Sequence, residues 1–441
     1  MPSVDQAVLA SWSFPPVVTT LNLFTALLYL RGWTALRSAM PERFTPWRLA
    51  AFLGGLATLQ IALASPIDAF DPFFVADHMF QHMLLMMVVP PLLLLGDPAI
   101  PLLRGLPLWA AQYAIGPVVS WPPLVRLGRL LTHPTLAWLL LAGAMLGWHV
   151  PVAYELALRS SGWHETEHAT FLVASLLFWW PVCQPWPSRP QWPAWRLPVY
   201  LLLADFVNSA LSAFLVFSGR VLYPSYATMP RLAGISAEND QVFAGVLMWA
   251  IGSIAFLIPA VAITVKLLSP RPPASSDERR SPAASEFGFR RAAVPAFVLL
   301  LPLAAIAYAW IAPDKVDIDE AVVRAQDVSG PFNVSVFAAP DPLPVGPCDI
   351  SVLVQDRDSG GTILDAVVDV SVESVGGHAG AGSVRATREQ SANKLLEAAT
   401  VDFPGSGAWQ LRVTIHRGLD EGAVVSRFEV ASASPNAREG S

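Results

Sequence analysis

The 441-residue chain is 54% hydrophobic and only 14% charged. Ordinary soluble domains carry about a quarter charged residues, so a wholly water-soluble fold is excluded. A formal net charge of -6 removes the basic footprint of a nucleic-acid binder, and two distant cysteines, Cys183 and Cys348, rule out a disulfide framework or a Cys-rich metal module.

Eight runs approach the roughly 20 apolar residues needed to cross a bilayer. In chain order they are Pro16–Leu36, Trp47–Ser65, Phe73–Leu95, Pro134–Val152, His164–Pro181, Leu197–Ser218, Gln241–Leu268 and Ala292–Ala312. The segment before the first run has no Lys or Arg, so that run is expected to be retained rather than cleaved as a signal. Residues 15–268 then form a bundle of seven spans. Residues 269–291, rich in Pro, Ser and Arg, read as a disordered linker, and residues 292–312 as an eighth transmembrane helix.

Sidedness follows from Lys and Arg, which cytoplasmic loops retain. Arg37 and Arg43 follow the first span, Arg104, Arg126 and Arg129 the third, Arg189 and Arg196 the fifth, and Arg271, Arg279, Arg280, Arg290 and Arg291 the seventh. The loop after the second span carries Asp68, Asp71 and Asp77 with no base. Odd-numbered loops are therefore expected in the cytoplasm, and both termini outside it. The long connection from Gly96 to His133, broken by Pro and Gly, reads as an interfacial segment.

Beyond Trp310 the composition changes. PFNVSVFAAP, CDISVLVQD, DAVVDVSVES and WQLRVTIHR alternate at period two between Gly, Pro and Asp turns. Residues 320–441 are thus predicted to form an immunoglobulin-like β-sandwich outside the cytoplasm. The fold class is an all-α polytopic membrane bundle with a C-terminal extracytoplasmic β-domain.

Six of the eight histidines fall between His78 and His168. Span order brings His78 and His82, His149, and His164 and His168 to the outer end of the bundle, and His133 to the inner end. Each pair is spaced i, i+4, which puts two imidazoles on one helix face and allows one metal ion to bridge them. Intramembrane ionisable groups are costly and commonly functional. Met79, Met83 and Met86 surround the first pair, and Met86 continues its face one turn deeper. Thioether sulfur favours Cu(I), so these are possible additional ligands, although methionine is also a common core filler. Asp240 opens the seventh span from the outside; it is placed to reach the histidines or to cap its own helix.

His164-Glu165-Thr166-Glu167-His168 matches H-E-x-x-H, the zinc-peptidase signature. No third ligand follows in a protease-like arrangement, so an enzyme is not expected. Asp205 and Asn208 lie inside the sixth span, where an ion relay and a helix–helix hydrogen bond are both open. His378 lies in a Gly-rich loop and reads as solvated.

HMFQHMLLMMVVPPLLLLGDP, GWHVPVAYELAL, HETEHATFLVASLLFWWPV and ENDQVFAGVLMW together resemble the CtaG-type cytochrome c oxidase assembly factors of bacterial membranes. PGSGAWQLRVTI and the strand spacing look like the YtkA-like or FixH-like modules. The resemblance implies a plasma-membrane protein that matures a haem–copper oxidase. His78, His82, His149, His164 and His168 fall on the family's motif histidines. Copper, as Cu(I), is the expected ligand, and an oxidase subunit or another copper carrier the expected partner. A haem-binding redox protein, a copper transporter and, last, a membrane zinc peptidase are the alternatives.

Overall fold

The computed structural model describes residues 3–232, 234–269, 322–375 and 380–431. The expected linker, the eighth span and His378 lie outside the described residues.

The N-terminal region is helical. Among the described residues, four helical stretches are long and apolar enough to cross a membrane: Pro46–Phe70, Val75–Leu95, Arg196–Phe217 and Ala237–Leu268. A fifth arises if Pro122–Leu131 and Pro134–Trp148, bent by 68° at their junction, count as one span. Helices Pro16–Ala39 and Ser161–Cys183 have 24 and 23 residues but are more polar. The described residues therefore do not reach eight apolar spans. In Ser161–Cys183 the apolar content is diluted by His164, Glu165, Glu167 and His168, so the polarity sits where the chemistry does.

Helix Arg196–Phe217 packs along Ala237–Leu268 through small residues. A Cβ on Gly252 would lie 2.3 Å from Asn208 Nδ2, so the glycine makes room for that side chain, and one on Gly245 would lie 3.0 Å from the Ser212 carbonyl oxygen. The expected interfacial connection divides in two. Ala99–Gly105 is buried, and its Gly105 lies so near Leu28 of helix Pro16–Ala39 that a Cβ there would sit 2.0 Å from the Leu28 carbonyl oxygen. Only the later part exposes Leu108, Trp109, Tyr113 and Trp121, the residue types of a membrane–water boundary.

The described residues of the C-terminal region form an all-antiparallel β-domain of eight strands: β1 Val322–Ser329, β2 Phe332–Ala339, β3 Gly346–Asp356, β4 Val367–Ser374, β5 Gly380–Arg385, β6 Glu397–Phe403, β7 Gly407–Arg417 and β8 Asp420–Val430. One sheet has the order β1-β2-β3-β6 and the other β5-β4-β7-β8. Val334, Val336, Ile350 and Val352 of the first meet Val368, Val370, Leu411 and Val413 of the second in one buried core. Strands β2-β3-β6 facing β4-β7-β8 follow the Greek-key order of immunoglobulin-like domains, with β1 added at an edge.

The two regions share a small core. Phe70, Phe73 and Leu232 of the helical region pack with Phe337, Leu353, Leu395 and Leu396 of the β-domain. Polar contacts frame it: Asn393 Nδ2 donates to the Ala69 carbonyl at 3.1 Å, and Gln355 Nε2 to the Arg231 carbonyl at 3.0 Å. The β-domain thus sits on the turn that leads into the first histidine helix.

Candidate metal centre

Two helices and one turn build the centre. Helix Val75–Met83 starts after Phe74, whose side chain offers no cap. The first amides of a helix lack intrahelical acceptors, and Asp240 supplies them from another helix. Its Oδ2 accepts from the Val75 N–H at 2.7 Å and its Oδ1 from the Ala76 N–H at 3.1 Å. Asp240 therefore caps the histidine helix and not its own, which Ser236 caps by accepting from the Asn239 N–H. Of the two roles expected for Asp240, capping thus engages both its oxygens, at a neighbouring helix rather than its own.

Further along, the chain passes through a π-helical turn, Leu84–Val88. Pro90 and Pro91 follow, and neither has an N–H, so the Met86 carbonyl has no backbone donor four or five residues on. The Trp179 indole N–H fills the gap at 3.0 Å and ties the first histidine helix to the second. Met79, Met83 and Met86 are all fully buried in the central apolar cluster.

The second helix, Ser161–Cys183, carries His164, Glu167, His168 and Phe171 at i, i+3, i+4 and i+7, a single face. Four imidazoles meet between the two helices. Ring centroids are 4.3 Å apart for His78–His82, 4.2 Å for His164–His168, 5.2 Å for His78–His164 and 5.3 Å for His82–His168. Tyr154 lies against His78 at 5.1 Å and Phe171 against His82 at 4.7 Å, walling the quartet with aromatic rings.

Two carboxylates enter this group. Asp71 Oδ2 is 3.4 Å from His78 Nδ1 and 3.3 Å from His164 Nε2. Glu167 Oε2 is 3.7 Å from His78 Nε2, and its Oε1 is 3.8 Å from His82 Nε2. Asp71, His78 and His164 form one set whose ligand atoms lie within 4.8 Å of one another, and His78, His82 and Glu167 form another. His78 and His82 are completely buried. Both ring nitrogens of each, both Glu167 oxygens and His168 Nε2 make no hydrogen bond. Leaving a buried polar group unsatisfied costs about 1–3 kcal/mol, so several such atoms facing one another define a place that a cation would stabilise.

His149, the fifth expected ligand, is in neither of the two ligand sets. Its Nδ1 lies 2.7 Å from the Met145 carbonyl, an arrangement that fixes the ring and leaves buried Nε2 without a partner. Tyr223 links it to the centre: its hydroxyl reaches the His149 carbonyl at 3.4 Å and its ring stacks on Tyr154 at 3.8 Å.

Glu165, the acid of the H-E-x-x-H match, is exposed; Glu167 is the one that faces the imidazoles. Asp205 accepts from Ser253 Oγ at 2.8 Å and Asn208 Nδ2 donates to the Met248 carbonyl at 3.2 Å, so both serve helix–helix bonding. Cys183 and Cys348 are free thiols.

The sequence reading missed Asp71 and Glu167. Glu167 was visible in principle, three residues after His164 on the same face. Asp71 was not, because nothing in its loop fixes where the carboxylate points.

Several known proteins resemble part of this chain. An uncharacterized protein of Mycobacterium tuberculosis and one of Mycobacterium bovis are each 28% identical over 275 residues, 60% of this chain and 40% of their own length. One of Mycobacterium leprae is 24% identical over 258 residues, 57% of this chain and 38% of its own. The chain thus spans about two fifths of the length of these curated relatives. No solved structure matches it. The family profile described as "Cytochrome c oxidase caa3 assembly factor (Caa3_CtaG)" matches residues 27–269, more than half of the chain and both histidine helices. With its apolar spans and that match, the chain is a membrane protein belonging to the cytochrome c oxidase caa3 assembly factor family.

Proposed function

We propose that this protein binds copper at the histidine–carboxylate centre and hands it to a subunit of a haem–copper cytochrome c oxidase, or to another copper carrier. The centre then lies at the extracytoplasmic face of a bacterial plasma membrane, with both termini on that side, as the arginine distribution argues. The observation that carries this reading is the meeting of four imidazoles and two carboxylates, from three chain segments, in two sets whose ligand atoms lie within 4.8 Å of one another. The family supports the oxidase as client. The donors suit a divalent ion better than the Cu(I) suggested by Met79, Met83 and Met86, because carboxylate is a harder ligand than thioether. Transfer needs no covalent chemistry, since copper exchanges between protein ligands.

The β-domain, as a YtkA-like or FixH-like module, is the natural docking element for the client. It rests on the turn that carries Asp71, and a cleft lined by Pro72, Ser225, Thr228 and Asp341 opens at the seam. Ring centroids 4.2 to 5.3 Å apart suit a bare ion rather than a haem, whose macrocycle needs room between its axial imidazoles. The exposure of Glu165 and the interhelical bonding of Asp205 and Asn208 count against the peptidase and transporter readings.

The test is copper content of the detergent-purified protein, together with oxidase activity of the cells, after replacing His78 and His82 with Ala. Both are expected to fall at least tenfold. Unchanged values for both would sink the proposal.

A further inference from the structure

The two ligand sets share one residue, and they use opposite edges of it. His78 turns Nδ1 towards Asp71, which His164 Nε2 also approaches, and Nε2 towards Glu167, which His82 Nε2 also approaches. Each edge of a single ring therefore faces one carboxylate and one further imidazole.

The separations discriminate between a hydrogen-bonded relay and coordination. A charge-assisted N–H···O bond spans about 2.7–2.9 Å, whereas the four nitrogen–oxygen distances here are 3.3, 3.4, 3.7 and 3.8 Å. His78 makes no hydrogen bond at either nitrogen, although both are buried. Ligands about 2.0–2.2 Å from a tetrahedral ion stand roughly 3.3–3.6 Å from one another. The two distances on the Asp71 side fall on the edges of such a polyhedron, and the two on the Glu167 side exceed them by 0.1–0.2 Å, a closure that a small side-chain rotation supplies. Each position also has its own negative charge, Asp71 on one side and Glu167 on the other.

We propose that the centre holds two divalent cations, one between Asp71, His78 and His164 and the other between His78, His82 and Glu167, with the His78 imidazolate bridging them. Two metal–nitrogen bonds of about 2 Å on opposite edges of the ring put the ions roughly 6 Å apart. Neutral His78 has one N–H; binding the second ion releases that proton to solvent. His168, 5.3 Å from His82 and 4.2 Å from His164 by ring centroid, is within reach of the pair with its unpartnered Nε2. A protein that matures a copper enzyme would then carry two ions per visit.

This inference rests on the metal-binding reading, and stoichiometry separates the two. Full-length protein in detergent is loaded with excess Cu(II), desalted and measured for copper per chain, with Zn(II) as a second probe. Two ions per chain are expected, and one after Asp71→Asn or after Glu167→Gln. In the copper-loaded protein the EPR signal should integrate to less than half of the bound copper, because an imidazolate bridge couples the two spins. Asp71→Asn should raise the integrated signal to that of one full spin per chain.

One ion in the unaltered protein overturns the two-ion centre and leaves single-ion binding standing, with Asp71 then orienting His78. No ion overturns both readings. Two ions with full, uncoupled EPR intensity overturn the bridge. The stoichiometry and spin count of the unaltered protein decide these cases even if a variant fails to fold.

Discussion

The helical region buries two groups of charge, one at each end of the span Val75–Leu95, and they are resolved in opposite ways. At the far end, Asp97 accepts from the Trp186 N–H at 2.7 Å and pairs with Arg48 at 2.7 Å and Arg43 at 3.4 Å. The Arg43 guanidinium also lies over the Trp186 ring, 4.9 Å from its centroid. Burial pushes the Asp97 carboxyl up, and the Trp186 amide and both arginines pull it back. At the near end, Asp71 and Glu167 lie 3.3 to 3.8 Å from imidazole nitrogens, across gaps too long for good hydrogen bonds. One carboxylate has its countercharge built into the chain. The other two are set among metal-ligating imidazoles, which distinguishes a candidate binding site from a structural clamp.

That contrast can be broken most forcefully by removing one acid from each group. Glu167→Ala should halve the copper bound per chain while thermal stability of the copper-free protein holds or rises, because a poorly paired buried carboxylate is gone. Asp97→Ala should do the reverse. Two arginines and an amide lose their acceptor at a cost of about 3 kcal/mol, while copper per folded chain is unchanged. Thermal denaturation and metal analysis on the same preparations read both quantities, and equal effects of the two variants on copper would erase the distinction.

A smaller effect should come from Asp240, which belongs to neither group but holds the helix of one of them. Asp240→Ala leaves the Val75 and Ala76 amides without acceptors, at a cost of about 1–2 kcal/mol by the measure of lost helix caps. His78 is three residues from the first of those amides. Copper affinity is therefore expected to fall several-fold, with the number of ions per chain unchanged, and Asp240→Asn should recover part of the loss through its remaining carbonyl oxygen. Calorimetric titration of copper checks this. A change in stoichiometry would instead make Asp240 a ligand.

The same contrast explains what could be read from the sequence. Apolar runs announced the helices, i, i+4 spacing announced the histidine pairs, and alternation announced β2, β3, β4 and β7, because each is a local pattern imposed by backbone periodicity. Charge partners carry no such periodicity. Glu167 looked like any acid in a first helical turn, and Asp71 served only as a marker of an acidic loop. The cap that Asp240 gives to Val75 joins residues 165 positions apart. The bond from Trp179 to the Met86 carbonyl depends on a proline pair whose effect falls on a different helix. Nor does any motif announce that Leu395 and Leu396 leave their own sandwich to pack on Phe70 and Phe73.

The β-domain contains a third kind of buried acid, and it gives the smallest predicted effect. Glu397, next in the chain to that contact, pairs with Arg388 Nη2 at 2.7 Å, yet burial outweighs the arginine and raises its carboxyl to about 7. An unfolded glutamate titrates near 4.5. Between these values the folded chain holds a proton that the unfolded chain has lost. The contribution to stability is therefore complete below about pH 4.5 and is lost as pH rises through about 7. The β-domain unfolding midpoint of the full-length protein should fall across that window by a few degrees, and Glu397→Gln, which stays neutral throughout, should flatten the slope. A midpoint that rises from pH 4.5 to 7 in the unaltered protein but not in Glu397→Gln would mean that Arg388 governs this carboxylate. Glu397 would then resemble Asp97, an acid whose countercharge the chain already provides.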